Sequence, residues 1–151
     1  MCACNSMQIG DCVKIIYWTG TGNTAAMAVE LSKGIMESGK ECEILDVATV
    51  TPEDLDQEMI FALGCPSMGA EQLEESTMEP FMEALEGKIG GKKIVLFGSY
   101  GWGNQEWMRD WEDRITAAGA TVMGGEGITC LYEPDNETLA ALCEMGKKMG
   151  A

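Results

Sequence analysis

The sequence predicts an α/β fold: a three-layer, doubly wound, five-stranded parallel sheet in the order 2-1-3-4-5. Three observations carry that expectation. Short runs rich in β-branched residues alternate with helix-period stretches along the whole chain. Turn signals separate these units, with no long linker and no internal repeat. At 151 residues and 46% hydrophobic, the chain can build one ordinary core but not a cofactor domain and a second substrate domain.

Residues 13–17 (Val-Lys-Ile-Ile-Tyr) read as the first strand, followed by a Gly- and Thr-rich turn. A helix is expected from about Thr24 to the stop signal Ser38-Gly39. Residues 41–47 form a short second strand. Thr51-Pro52-Glu53-Asp54 then places an N-cap, a proline at the first helical position and acids in the first turn, which predicts a second helix. Residues 59–64 are a buried third strand, and an acidic loop over 65–78 leads to a helix through Phe81 and Leu85. The fourth strand, 92–97, opens into a glycine-rich turn. A helix over about 104–118 ends at Gly119, a fifth strand lies within 121–129, and Asp135 caps a last helix to about Met149. Residues 1–10 fall outside this pattern and are expected to be a disordered leader, leaving 11–151 as the domain.

Composition removes several classes of chemistry. The chain contains no His, which excludes Ser-His-Asp and Cys-His catalysis, His-ligated metals and imidazole bases. Ten Lys and Arg against 25 Asp and Glu give a net charge of −15, so nucleic acid and anionic membranes are poor partners. No apolar run is long enough to span a bilayer. The seven Cys are read as free thiols in a reducing cytoplasm. Cys2, Cys4 and Cys12 invite a metal reading, but no fourth local ligand completes a site, and no metal is expected.

Three turns carry the candidate site. Thr19-Gly20-Thr21-Gly22-Asn23-Thr24 lies between the first strand and the first helix, where backbone N–H groups, three hydroxyls and a carboxamide can cradle an oxyanion. A dinucleotide fingerprint competes for the same residues, since Gly20-Thr21-Gly22-Asn23-Thr24-Ala25 fits G-x-G-x-x-A and Asp46 ends the second strand where a ribose-binding acid would stand. In an open α/β sheet ligands bind beyond the carboxyl ends of the strands. The loop after the third strand, residues 65–71, and the loop after the fourth, residues 98–103, should therefore meet the first turn. Met68 and Trp102 on these loops suit two faces of a slot for a planar aromatic ring.

The set of three turns, in this order, resembles the short-chain flavodoxins of fermentative anaerobic bacteria. Thr19-Gly20-Thr21-Gly22-Asn23-Thr24 is similar to that family's phosphate loop. Gly64-Cys65-Pro66-Ser67-Met68-Gly69 with Glu71, and Phe97-Gly98-Ser99-Tyr100-Gly101-Trp102-Gly103, resemble its two ring-binding loops. The likeness spans about 13–149 and implies a flavodoxin-like FMN-binding domain. By this resemblance Thr19, Gly20, Thr21, Gly22, Asn23 and Thr24 surround the FMN phosphate. Pro66, Ser67, Met68, Gly69, Ser99, Tyr100, Gly101, Trp102 and Gly103 are implied as further FMN-binding residues, with backbone groups of Met68, Gly69, Gly101 and nearby residues at the polar edge of the ring. Glu71 is implied as acceptor for the ring N3–H. Met68 and Trp102 are implied to pack on its two faces.

The implied function is that of a low-potential one-electron carrier using non-covalently bound FMN, cycling between semiquinone and anionic hydroquinone, with no catalytic residues. An FMN-dependent NAD(P)H or quinone reductase is the alternative, and a signalling receiver is a rival built on the same sheet order. A receiver would need paired acids after the first strand, where Tyr17-Trp18-Thr19 stands instead. Gly69 is expected to flip at low steric cost and so to separate the two one-electron steps.

The remaining readings are mostly structural. Trp107, Trp111 and Ile115 at i, i+4, i+8 are a helix core face. Cys65 is a buried strand-end thiol. Glu74, Glu75 and Glu79 are a solvated acidic rim. Together with Glu71, Glu106 and Asp110 they would concentrate negative charge around the flavin. Two unit charges about 10 Å apart repel by roughly 1.7 kcal/mol at an effective dielectric of 20, so such a rim would lower the potential of the second reduction. The expected partners are redox proteins with basic surfaces that meet a cytoplasmic monomer.

Overall fold

The computed structural model describes residues 12–18, 22–68 and 72–151. Its sheet is parallel throughout, in the order β2-β1-β3-β4-β5. The strands are β1 (Cys12–Tyr17), β2 (Glu41–Asp46), β3 (Ile60–Gly64), β4 (Lys93–Tyr100) and β5 (Thr121–Val122), with a further strand β6 (Ile128–Leu131). Four α-helices flank it: α1 (Asn23–Glu37), α2 (Met78–Leu85), α3 (Glu106–Ala117) and α4 (Asn136–Gly150).

The alternation of side chains along the central strands builds both outer layers. Ile15, Ala62, Val95 and Phe97 face a core shared with Met27, Leu31 and Ile35 of α1 and with Leu142 and Met145 of α4. Their neighbours Ile16, Phe61, Leu63, Ile94 and Leu96 point the other way, into a core with Phe81 and Met82 of α2 and Trp107, Trp111 and Ile115 of α3. Trp107 and Trp111 are each 1% exposed, which makes the expected helix core face a structural fact. Helices α1 and α4 pack with backbones nearly touching. A Cβ on Gly34 would lie 2.0 Å from the Cys143 carbonyl, and one on Gly146 would lie 2.3 Å from that of Leu31.

Two elements differ from the sequence reading. The expected fifth strand is two pieces, β5 beside the start of β4 (Lys93↔Thr121) and β6 beside its end (Phe97↔Ile128 to Tyr100↔Leu131). Gly124, Gly125 and Gly127 interrupt it, and Gly124 and Gly125 have positive φ, a conformation that breaks a strand ladder. The helix expected after Thr51 is only a 3₁₀ turn, Pro52–Leu55. Its start signals are real, since the Asp54 carboxylate accepts the Thr51 N–H at 2.9 Å. What ends it is tertiary: the Lys92 ammonium, on a residue only 5% exposed, donates to the carbonyls of Leu55, Asp56 and Glu58 at 3.2, 3.1 and 2.7 Å. The Leu55 carbonyl also accepts the Glu58 N–H at 3.0 Å, whereas those of Asp56 and Glu58 turn to the ammonium and not to further helical N–H groups. Lys92→Met should leave these carbonyls short of a donor and lower stability by about 2 kcal/mol. A urea midpoint within error of the wild type would refute this.

Cysteine usage also departs from expectation. Cys65, Cys130 and Cys143 are free thiols, but Cys12 is disulfide-bonded. Cys2 and Cys4, and the leader reading for 1–10, lie outside the described residues. Among the described residues no helix is long and apolar enough to cross a membrane.

Candidate functional site at the carboxyl end of the sheet

Parallel pairing puts the carboxyl ends of β1, β3 and β4 side by side, with Tyr17 opposite Gly64 and Gly64 opposite Phe97. Three connections therefore leave the sheet at one edge. The loop after β3 does not depart freely. Its Cys65 N–H donates to Phe97 O at 3.1 Å and its Ser67 N–H to Ser99 O at 2.9 Å, so it stays zipped along β4. Gly98 makes this approach possible, because a Cβ there would sit 2.1 Å from the Cys65 carbonyl oxygen. That same oxygen accepts the Trp107 indole N–H at 3.1 Å, which fastens the loop to α3. Met68 and Gln72 exchange both backbone hydrogen bonds at 2.9 Å.

The first turn joins the other two through buried hydroxyls. Thr24, fully buried in the first turn of α1, lies 3.3 Å from Ser99 Oγ at the end of β4. One line of polar contacts, Thr24 to Ser99 to Ser67, thus links all three connections. At the start of α1, Gly22 is the N-cap with φ +91°, among the described residues no side chain caps the helix, and no acid lies in its first turn. Helix α4 is the contrast, with Asp135 accepting the Thr138 N–H at 2.8 Å. An end of the first kind suits an anion, which takes up the N–H groups and meets the favourable end of the helix dipole.

Of the expected site residues, Gly22, Asn23, Thr24, Pro66, Ser67, Met68, Ser99, Tyr100, Gly101, Trp102 and Gly103 are brought to this edge. Thr19, Gly20, Thr21, Gly69 and Glu71 lie outside the described residues, as does any flip at Gly69. Ser67 is 5% exposed, and its Oγ has no hydrogen-bond partner among the described residues. A buried orphan hydroxyl at a ligand edge fits a polar cofactor that supplies the missing partner. Trp102 is 54% exposed, an indole left uncovered above the loop, as a stacking residue for a planar ring should be. The donor set of neutral hydroxyls, backbone amides and the start of α1 suits a phosphate, and Met68 and Trp102 suit a ring.

Asp46 accepts the Ala48 N–H at 2.9 Å, capping a 3₁₀ turn at Val47–Thr49. Cys65 is fully buried, and desolvation, reinforced by the nearby Glu74 and Glu79 charges against a hydrogen bond from the Glu74 N–H, pushes its thiol up to about 12. It is inert as a nucleophile or redox thiol.

The acidic rim is corrected. Glu74 is 7% exposed, and its carboxylate accepts the N–H groups of Ser76, Thr77 and Met78 at 2.7, 2.8 and 3.0 Å. Burial alone would raise this carboxyl, but the donors from Met78, Thr77 and Ser76 outweigh it and hold it below the ordinary value of 4.5. Glu79 is committed to Arg114 in a two-pronged pair, with Glu86 on the guanidinium's remaining side. Only Glu75, exposed at the loop, keeps the solvated role. Sequence reasoning missed Trp18, which is half-buried and lines a cleft of about 270 Å³ with Met68, Gln72, Leu73, Glu74, Glu75 and Ser76. Its place directly after β1 is the signal that could have found it.

Comparison with known proteins agrees with this geometry. The family profile described as Flavodoxin matches residues 15–146. The chain is 49% identical over 137 residues to the flavodoxin of Clostridium beijerinckii, covering 91% of this chain and 98% of that one. It is 46% identical over 124 residues to the flavodoxin of Megasphaera elsdenii, covering 82% and 89%. The solution structure of two-electron reduced Megasphaera elsdenii flavodoxin superposes with a TM-score of 0.79 at 41% identity, covering 90% of this chain and 98% of that one. A parallel sheet in the order 2-1-3-4-5, a cofactor edge fitted to phosphate and ring, and this likeness over nearly the whole chain place it in one family: the chain belongs to the flavodoxins, FMN-binding proteins that transfer electrons and are not enzymes.

Proposed function

We propose that this protein is a low-potential carrier of single electrons, working between the one-electron-reduced and fully reduced states of its FMN, in a reducing cytoplasm. The observation that carries the reading is the convergence of three connections at one sheet edge, where the start of α1 at Gly22, a buried hydroxyl unpartnered among the described residues and an uncovered indole meet. In this reading residues 11–151 are the FMN-binding domain. Thr19, Gly20, Thr21, Gly22, Asn23 and Thr24 hold the phosphate. Pro66, Ser67, Met68, Gly69 and Glu71 line one side of the ring, and Ser99, Tyr100, Gly101, Trp102 and Gly103 the other. Bound FMN supplies the redox chemistry. The protein binds it, shields it from water and sets the charge around it.

The charge layout supports a low potential and a basic partner. Lys14, Lys40, Lys88, Lys92, Lys93, Lys147 and Lys148 all stand at strand starts or at element ends away from the site edge. Arg109, near the start of α3, is neutralised by Glu112 at 3.1 Å and Glu126 at 3.2 Å. Exposed Glu75, Glu106, Asp110, Glu133 and Asp135 remain at or next to the site edge. Negative charge there disfavours further electron gain and steers a basic redox partner towards that edge, an encounter that weakens with salt.

The test is the absorption spectrum of the purified protein during stepwise anaerobic reduction. Flavin bands should give way to a long-wavelength band after the first electron, and that band should vanish after the second. Direct two-electron bleaching would refute the one-electron role, and steady NAD(P)H oxidation by the protein alone would favour a reductase. Trp102→Ala should weaken FMN binding by about 1–2 kcal/mol, roughly five- to thirtyfold, and shift the flavin bands. Unchanged affinity and spectrum would remove Trp102 from the stack.

A further inference from the structure

Tyr132 has a backbone that tyrosine rarely adopts and a side chain that gains little burial. Its φ is +59°, in the left-handed region, and it is 60% exposed. Strain of this kind persists where surrounding contacts over-determine it, and it collects at functional sites. Its contacts lead to the outer ring-binding loop. The Tyr132 N–H donates to Tyr100 O at 2.8 Å, extending the ladder between β4 and β6. Its phenol hydroxyl donates to the Gly101 carbonyl at 2.9 Å. The ring lies against Gly101 so closely that a Cβ there would be 3.0 Å from Tyr132 Cε1.

The other left-handed non-glycine among the described residues, Gln105, closes the far end of the same loop. Its amide donates to the Tyr100 hydroxyl at 3.3 Å, and its carbonyl oxygen accepts the Thr129 hydroxyl at 2.6 Å. Both strained residues thus bracket residues 100–105, one tied to each end of Trp102's loop.

We propose that Tyr132 is a positioning residue for FMN binding: its phenol fixes the Gly101–Trp102 peptide in the orientation that seats Trp102 on the ring. The proposal rests on the assignment of residues 99–103 to the ring. An exposed hydroxyl that held the loop only for folding would be a poor use of a strained backbone. A hydroxyl that pre-orders the loop spares the cofactor the cost of ordering it on binding.

Tyr132→Asn and Tyr132→Phe separate the two roles. Asparagine tolerates φ near +59°, so Tyr132→Asn removes the phenol and relieves the strain together. The thermal midpoint of the apoprotein should stay level or rise, while FMN binding weakens about three- to tenfold. Tyr132→Phe should leave the apoprotein midpoint unchanged, show a similar loss of affinity and shift the potential of the first reduction. FMN dissociation constants within twofold of the wild type in both variants would overturn the proposal, as would equal losses of stability and affinity in Tyr132→Phe. A Trp102→Ala variant that bound FMN with wild-type affinity would overturn the assignment of the ring loop, and this proposal with it.

Discussion

Gly98→Ala is expected to lower the unfolding free energy by about 2–5 kcal/mol and to weaken FMN binding roughly a hundredfold. The added methyl group has nowhere to go. It would stand 2.1 Å from the Cys65 carbonyl oxygen and 3.2 Å from the Trp107 ring. Relief requires moving the Cys65 peptide by more than an ångström, which costs the Trp107 indole bond and loosens the two N–H bonds that zip residues 65–67 onto β4. Overpacking accounts for about 1–3 kcal/mol, and an orphaned buried indole N–H for about another 1–2 kcal/mol. The displaced segment carries Ser67 and Met68, so affinity should fall with stability. Urea unfolding of the apoprotein and fluorescence titration with FMN check both effects. A stable variant of wild-type affinity would mean that this contact does not position the loop.

Glu74→Ala should cost about 2–4 kcal/mol. Its carboxylate is buried and takes three N–H groups at the entry to α2, so removal leaves all three without a side-chain acceptor. The pH dependence provides a second readout with a defined sign. The folded carboxyl sits below 4.5 because the three donors outweigh burial. Its contribution is therefore fully present above the unfolded value and is lost as pH falls through the folded one. Wild-type stability should decline more steeply than that of Glu74→Ala below about pH 4.5. Parallel acid profiles for the two proteins would contradict the capping role.

Much of the fold was legible because it depends on local periodicity and punctuation. The alternation of Ile15 with Ile16 and of Val95 with Leu96 assigns each to one of two cores, and the structure places them there. Trp107, Trp111 and Ile115 were readable as a buried stripe for the same reason. The site's location was legible too, since parallel strands deliver their following turns to one edge. The acids were not. Glu74 takes backbone donors only two to four residues on, a local cap at the entry to α2 that its acidic surroundings masked, and nothing local reveals that Arg114, 35 residues away, takes Glu79. The truncated helix at Pro52–Leu55 has the same explanation, because Lys92 arrives from another part of the chain.

The sequence by itself determined the layer order, the edge at which the three turns meet and the chemistry of their donors, because helix and strand periods and turn residues act over a few positions. Only the tertiary structure decided that Arg114 takes Glu79, which carbonyls a buried lysine takes and that Tyr132 reaches back to Gly101. Each of those is a polar contact between distant segments, and its partner is set by how the layers pack.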